Sequence, residues 1–297
     1  MNKENQKLAG MVPRSLPIPI RDLTDDELRA DDHYRTRFAE IYSRFSLFRI
    51  LEKNYQEWWS FTRKLLTPGN RDFEQDRLEL NRLLMNYLSS AYSIVEHLEK
   101  SYTRRFRNDA EKSQKYRDFV SRLEHDSFAY AFFMDFRDYA QHQETPIGTY
   151  NRNETTNSVN ISIRQSAGDL STQPRDWERS HLTAAKGDLD LLTMTRDFHH
   201  LMNHSFERFM IDALNPDLKA IDEFYWGLTQ EVRQKIPNAR MVFLEKLIQT
   251  PERTRVSFSY TIVQPPNAPY EELGIPIDRN EATPTILLPA AQGPSSS

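Results

Sequence analysis

A chain of 297 residues, 38% of them apolar and 28% charged, holds enough apolar material for one large domain or two modest ones. It contains no Cys, which excludes disulfides, thiolate metal sites and a thiol nucleophile, and its net charge of −4 excludes nucleic-acid binding by bulk basicity. No run approaches the ~20 apolar residues of a membrane span, and MNKENQKLAGMVPRSLPIPI lacks the apolar stretch of a secretory signal, so the expected location is cytoplasmic, without a membrane partner.

Residues 1–23 are Pro-containing and without periodicity, and read as an N-terminal arm. Thr24 and Glu27 then form a capping box, with Leu23 and Leu28 placed as a hydrophobic staple. From there Tyr34, Phe38, Ile41, Phe45, Phe48, Leu51, Tyr55 and Trp58 recur at threes and fours, the stripe of a long helix that ends at Thr67-Pro68-Gly69. A second helix is predicted over 71–106, with Leu80, Leu84, Tyr87, Ala91, Ile94, Leu98 and Tyr102 on one face. A third is predicted over 110–143, striped by Tyr116, Val120, Leu123, Tyr130 and Phe133 and stopped before Pro146. Three such helices joined by short polar turns predict an antiparallel bundle over 24–146.

The pattern then changes. IGTYNRNETTNSVNISIRQS (147–166) alternates at Val159, Ile161 and Ile163 and predicts a β-hairpin, followed by a loop over 167–180. Helices are predicted over 183–214 and 217–236, broken at Asn215-Pro216, then a short helix over 239–249. A strand over 253–263 is expected to join the hairpin, so that 147–263 forms an α+β extension, and the Pro-rich residues 264–297 read as a mobile tail. The fold class is therefore mainly α: long helices with a small antiparallel sheet and further C-terminal helices.

The third helix carries an anomaly near its end. Counting four residues on from Phe133 lands on Arg137, a permanent charge in a row of core residues. Burying a lone charge costs several kcal/mol or more, so Arg137 calls for an anion, a carboxylate or an open cleft. Asp138 and His142 lie four apart on one helix face, where a carboxylate can orient an imidazole. An ordinary exposed helix pair is the plain alternative, as is a packing role in which Arg137 pairs with Glu96.

Arg137-Asp138-Tyr139-Ala140-Gln141-His142 resembles the R-x4-6-H signature of the HEPN superfamily, with a polar residue directly after the Arg. The helix LNRLLMNYLSSAYSIVEHLEK resembles the one that packs against that motif, with Asn86, Ser89, Ser90 and Glu96 as its polar positions; the resemblance covers about 75–145. It implies a homodimer whose two motifs share a cleft and act as a metal-independent, cofactor-free endoribonuclease; the alternative it implies is an inert dimerisation or interaction module, as other family members are. In the catalytic form His142 would handle the proton of the 2′-OH or of the leaving oxygen, Arg137 would stabilise charge on the phosphoryl oxygens, and Asp138 would orient His142. Defence or stress systems are the implied setting, with a protein inhibitor or partner; Glu144 stands where some family toxins carry a Tyr that an antitoxin modifies.

Residues 100–122 hold eight basic and three acidic residues, a net of +5, and Arg104, Arg105, Arg107, Lys112 and Lys115 are the candidate RNA contacts; a solvated charged face is the commoner meaning of such a run. A second R-x4-6-H match, Arg175 to His181, follows Pro174 in the predicted loop and lacks a long apolar helix before it. His200 and His204, with Asp197 a turn earlier, have metal-compatible spacing but lack a clear third ligand, and Trp58-Trp59 suits either base stacking or core. With eight Gly and no Gly-rich phosphate loop or G-x-S-x-G elbow, a nucleotide-triphosphate enzyme and an elbow-type hydrolase are not expected.

Overall fold

The computed structural model describes residues 6–11, 18–142, 145–172, 177, 182, 187–239, 241–248, 257–263, 277–278 and 285–286. Two compact units emerge, 44–210 and 1–43 together with 211–297, a division that follows neither the boundary at 23 nor those at 146 and 263 read from the sequence. The protein is mainly helical with small antiparallel sheets.

The unit 44–210 is built on α1 (Asp25–Leu65, whose later turns belong here), α2 (Phe73–Arg105), α3 (Ala110–Asp126) and α4 (Phe128–His142). The first two stripes point inward as their periodicity predicts: Leu51 and Trp58 of α1 are fully buried, as are Leu80, Leu84, Tyr87, Ala91 and Ile94 of α2. Asp72 caps α2 by accepting from the N–H groups of Glu74 and Gln75, each at 3.1 Å. The predicted third helix is instead two. Ser127 takes an extended backbone (φ −131°, ψ 103°); its N–H closes α3 on the Leu123 carbonyl at 3.0 Å, and its Oγ accepts from the Tyr130 N–H at 3.2 Å to open α4. That break reorients the chain so that α4 is buried on nearly every side, from Tyr130 through Phe136 without interruption.

Strands β3 (Thr149–Glu154) and β4 (Val159–Ser166) form the predicted hairpin. Its third strand is β5 (Asp188–Asp190), paired Gln165↔Leu189, not the strand predicted at 253–263. Arg152 of β3 donates to the carbonyls of Leu65 and Thr67, both at 2.9 Å, supplying orphan acceptors at the end of α1. Asn81 of α2 accepts from the Ile147 N–H at 2.9 Å and so fixes the approach to β3. The predicted loop opens with a short helix, α5 (Ala167–Ser171). Trp177 donates to the Leu170 carbonyl at 3.1 Å and packs 5.8 Å from Tyr139 of α4.

Helix α6 (Leu191–Leu201) starts at an Asp190 cap, later than the predicted residue 183. A π-turn over Met202–Phe206 leads directly into α7 (Glu207–Lys235). The predicted break at Asn215-Pro216 does not occur, and α7 continues through Pro216. The missing Pro N–H leaves the Asp212 carbonyl without its helical donor at a position where both residues are exposed.

In the other unit, β1 (Gln6–Met11) and β2 (Ile18–Asp22) replace the predicted arm. The predicted helix at 239–249 is β6 (Met241–Ile248), and β7 (Ser257–Val263) pairs with it, giving an antiparallel sheet ordered β2-β1-β6-β7. Leu8, Leu23, Leu228, Val232 and Ala239 form the unit's core, with the staple residue Leu28 packed against it. The capping box forms as predicted: Glu27 N–H donates to Thr24 Oγ1 at 3.2 Å, and Thr24 N–H to Glu27 Oε2 at 2.8 Å. Arg21 bridges Glu27 and Glu231 at 2.7 Å each, which holds both carboxyls down at about 2. The tail expectation for 264–297 falls mostly outside the described residues, which include there the two-residue strands β8 (Ile277–Asp278) and β9 (Thr285–Ile286).

Candidate functional site

The RDYAQH stretch ends α4. Arg137 is half-buried, with its side chain 22% exposed, and its Nη1 donates to the Asp138 carboxylate at 2.7 Å. Its guanidinium carbon lies 4.0 Å from the centre of the Tyr92 ring on α2, close enough for a cation–π contact, while Nε is buried without a hydrogen-bond partner. The charge in the apolar row thus meets both a carboxylate and an aromatic face. The alternative pairing with Glu96 is not what forms: Glu96 lies 3.6 Å from Lys100, one turn along α2.

His142 is exposed at the last residue of α4. Because α4 stays helical to that point, Arg137 and His142 leave it about 140° apart and ~7.5 Å along the axis, so one copy of the chain does not bring them to a common point. Asp138, the residue expected to orient His142, accepts from Arg137 Nη1 at 2.7 Å. Of the polar α2 residues, Asn86 is exposed, Ser90 is buried and donates to the Tyr87 carbonyl at 2.7 Å, and Ser89 accepts from Gln141 at 3.3 Å, which ties the motif segment to α2. Gln143, Glu144 and the second motif match apart from Trp177 lie outside the described residues.

The basic run sits around the turn between α2 and α3. Arg104 and Arg107 are exposed, Arg105 packs 5.0 Å from the Phe106 ring, and Lys112 lies 5.2 Å from the same ring. Lys112 pairs with Asp109 at 3.0 Å and Lys115 with Glu111 at 3.8 Å, so part of the positive charge is matched within α3.

A second polar cluster, which sequence reasoning missed, is centred on a buried histidine of this unit. His199 on α6 is 8% exposed and stacks on Tyr55 of α1 with ring centres 3.5 Å apart. Its Nε2 is 3.1 Å from Glu52 Oε2, and Asn203 in the π-turn donates to the same oxygen at 3.1 Å. The hydrogen bond from His199 holds the Glu52 carboxyl down at about 2 against the opposing effect of burial. With Glu52 ionised, Nε2 carries the hydrogen and donates, so the 3.0 Å between Asn203 Nδ2 and Nε2 is a contact of two donors sharing one acceptor. His199 Nδ1 is buried with no hydrogen-bond partner. Glu207 is pushed up by burial and, secondarily, by the Glu52 charge. A carboxylate–imidazole pair is the arrangement general-base chemistry uses, but the open ring nitrogen here is closed off from solvent, and the pair ties α1 to α6. The local signal that pointed elsewhere was the His200/His204 spacing. Those two rings lie parallel, 5.7 Å apart and exposed, and among the described residues no group of three His, Asp or Glu is placed to hold a metal.

Trp58 is fully buried core, whereas Trp59 is partly exposed and stacks 6.4 Å from Tyr55. Among the described residues no helix is long and apolar enough to cross a membrane. Together these features define a mainly helical protein with a partly buried helix-end motif and a His–Glu pair whose imidazole is buried and whose carboxylate is partly exposed. Comparisons with protein-family models, curated proteins and solved structures return no match.

Proposed function

We propose that the chain is a HEPN-like helical interaction module, acting as a homodimer or on a protein partner, and that its RDYAQH stretch is structural, not catalytic. The observation that carries this reading is the state of Arg137: its Nη1 is held by Asp138 at 2.7 Å, its guanidinium is stacked 4.0 Å from Tyr92, and its Nε is buried away from solvent. A transition-state clamp needs donors aimed at empty space where charge develops. The basic run supports RNA contact only weakly, because Lys112 and Lys115 already have acidic neighbours.

A second reading, metal-independent RNA cleavage by a dimer, is favoured by the exposure of His142 one turn beyond Arg137 at a helix end. Incubating the purified chain with mixed RNA, beside His142→Ala, separates the two. The module reading expects the same RNA pattern for both proteins; cleavage lost on substitution overturns it in favour of the nuclease. Analytical ultracentrifugation across a concentration series tests self-association, and a strict monomer leaves the partner-binding form alone standing.

A further inference from the structure

The sheet β2-β1-β6-β7 has two edges of different character. On one, β2 carries Pro19, which offers no N–H, and the charged residues Arg21 and Asp22. Its pairing with β1 also skips Ile20, between Pro19 and Arg21. Proline, charge and a bulge are the devices that keep an edge strand from accepting a further one. The other edge is β7, SFSYTIV, with no proline and no charged residue along it. Among the described residues β6 is its only strand neighbour, in continuous register from Ser257↔Ile248 to Val263↔Val242. Among those residues, then, the outer side of β7 offers a row of unpaired backbone N–H and C=O groups.

We propose that β7 pairs antiparallel with β7 of a second copy of this chain, about a two-fold axis at Tyr260, joining two four-stranded sheets into one. The occupant follows from the self-complementarity of the strand. Directly opposed residues share a sheet face, so a two-fold axis normal to the sheet passes through a residue and not between two. Tyr260 is the middle residue of β7, and centring there overlaps the whole strand. It sets Ser257 opposite Val263, Phe258 opposite Ile262 and Ser259 opposite Thr261. Aromatic with β-branched and Ser with Thr are favourable cross-strand partners, and no like charges meet. Such a pair makes about six to eight backbone hydrogen bonds, depending on which alternate residues face outward. The β2 edge of the sheet is guarded, so the pairing closes at two chains and does not propagate. The proposal rests on the homodimer form of the function given above and supplies its surface, without calling on the RDYAQH stretch.

Sedimentation of the full chain across a concentration series, beside variants at two opposed positions, tests the pairing. Ser259→Lys/Thr261→Lys sets lysine against lysine on both sides of the axis and is expected to weaken the dimer about tenfold or more. Ser259→Lys/Thr261→Glu brings as many charged groups to the same positions but opposes lysine to glutamate. It is expected to keep the parent's dissociation constant within about threefold. Equal dissociation constants for the two variants, with circular dichroism spectra like the parent's, overturn the edge pairing and leave a dimer through some other surface. A parent that stays monomeric overturns both the pairing and the homodimer form. The absence of Cys permits a second test that adds no charge. Opposed Cα atoms lie about 4.5–5.5 Å apart, within reach of a disulfide, so Tyr260→Cys is expected to link two chains on oxidation. Two copies of residue 257 would stand about 20 Å apart at 3.4 Å per residue, so Ser257→Cys alone is expected to stay unlinked. The same holds for Val263→Cys, whereas a mixture of the two variants is expected to link. Linking of Ser257→Cys by itself as readily as Tyr260→Cys, or none in the mixture, overturns the proposal.

Discussion

Two histidines on neighbouring helices show how much environment outweighs spelling. His142 has the motif: an arginine five residues earlier, an aspartate four earlier, a helix end and open solvent. His199 has no motif, yet it is 8% exposed, stacked at 3.5 Å on Tyr55, and bonded to a carboxylate that stands 147 residues away in sequence. The difference teaches that polar residues which look catalytic in sequence can be lightly constrained, while those that hold helices together can look like nothing. It also separates two part-exposed charges: Arg137 is met by its own helix neighbour and a ring, Glu52 by Gln56 on its own helix and by His199 and Asn203, far along the chain.

Substitution can sharpen or break that contrast. The largest effect is expected for His199→Ala, which empties a packed site and removes the stacked ring; by analogy with large-to-small core changes it costs about 2–4 kcal/mol in chemical denaturation. Glu52→Leu strands the His199 and Asn203 donors and is expected to cost about 1–2 kcal/mol, at the low end because the carboxylate is partly exposed. Arg137→Met keeps the stem but loses the cation–π and ion-pair contacts, for about 1 kcal/mol. His142→Ala should lie within about 0.5 kcal/mol of the parent, as surface substitutions do. If His142→Ala proved the most damaging of the four, the contrast drawn here would be wrong.

A pH series adds a test of sign. The Glu52 carboxyl falls from its ordinary 4.5 to about 2 on folding, chiefly through the His199 hydrogen bond, so its contribution is complete above about pH 4.5 and disappears as the pH drops toward 2. The stability gap between the parent and Glu52→Gln is therefore expected to close over that window. A gap that stays constant from pH 6 to pH 2 would show that the carboxylate charge plays no part.

Local signals made the first two helices legible. Thr24 and Glu27 bond as a capping box, and the stripes through Leu51, Trp58, Leu84 and Ile94 are core. The break at Ser127 was hidden because the apolar row resumes in step at Tyr130, although Asp126-Ser127 is a cap-forming pair. MVFLEKLI spaces Leu244, Leu247 and Ile248 as a helix would; what makes it a strand is pairing with Gln6–Met11, which no local window contains. The same limit hid the candidate sites. Arg137 was visible as a charge out of place, but its answer, Tyr92, lies on another helix.

The pairing of β1 with β6 sets a timetable for biosynthesis. Residues 44–210 are contiguous, and this unit can assemble while the ribosome is still elongating. Gln6–Met11 is synthesised well before its partner Met241–Ile248, by on the order of ten seconds or more at ordinary elongation rates. Throughout that interval β1 stands without a neighbour on its β6 side, an open strand edge of the kind that invites intermolecular pairing.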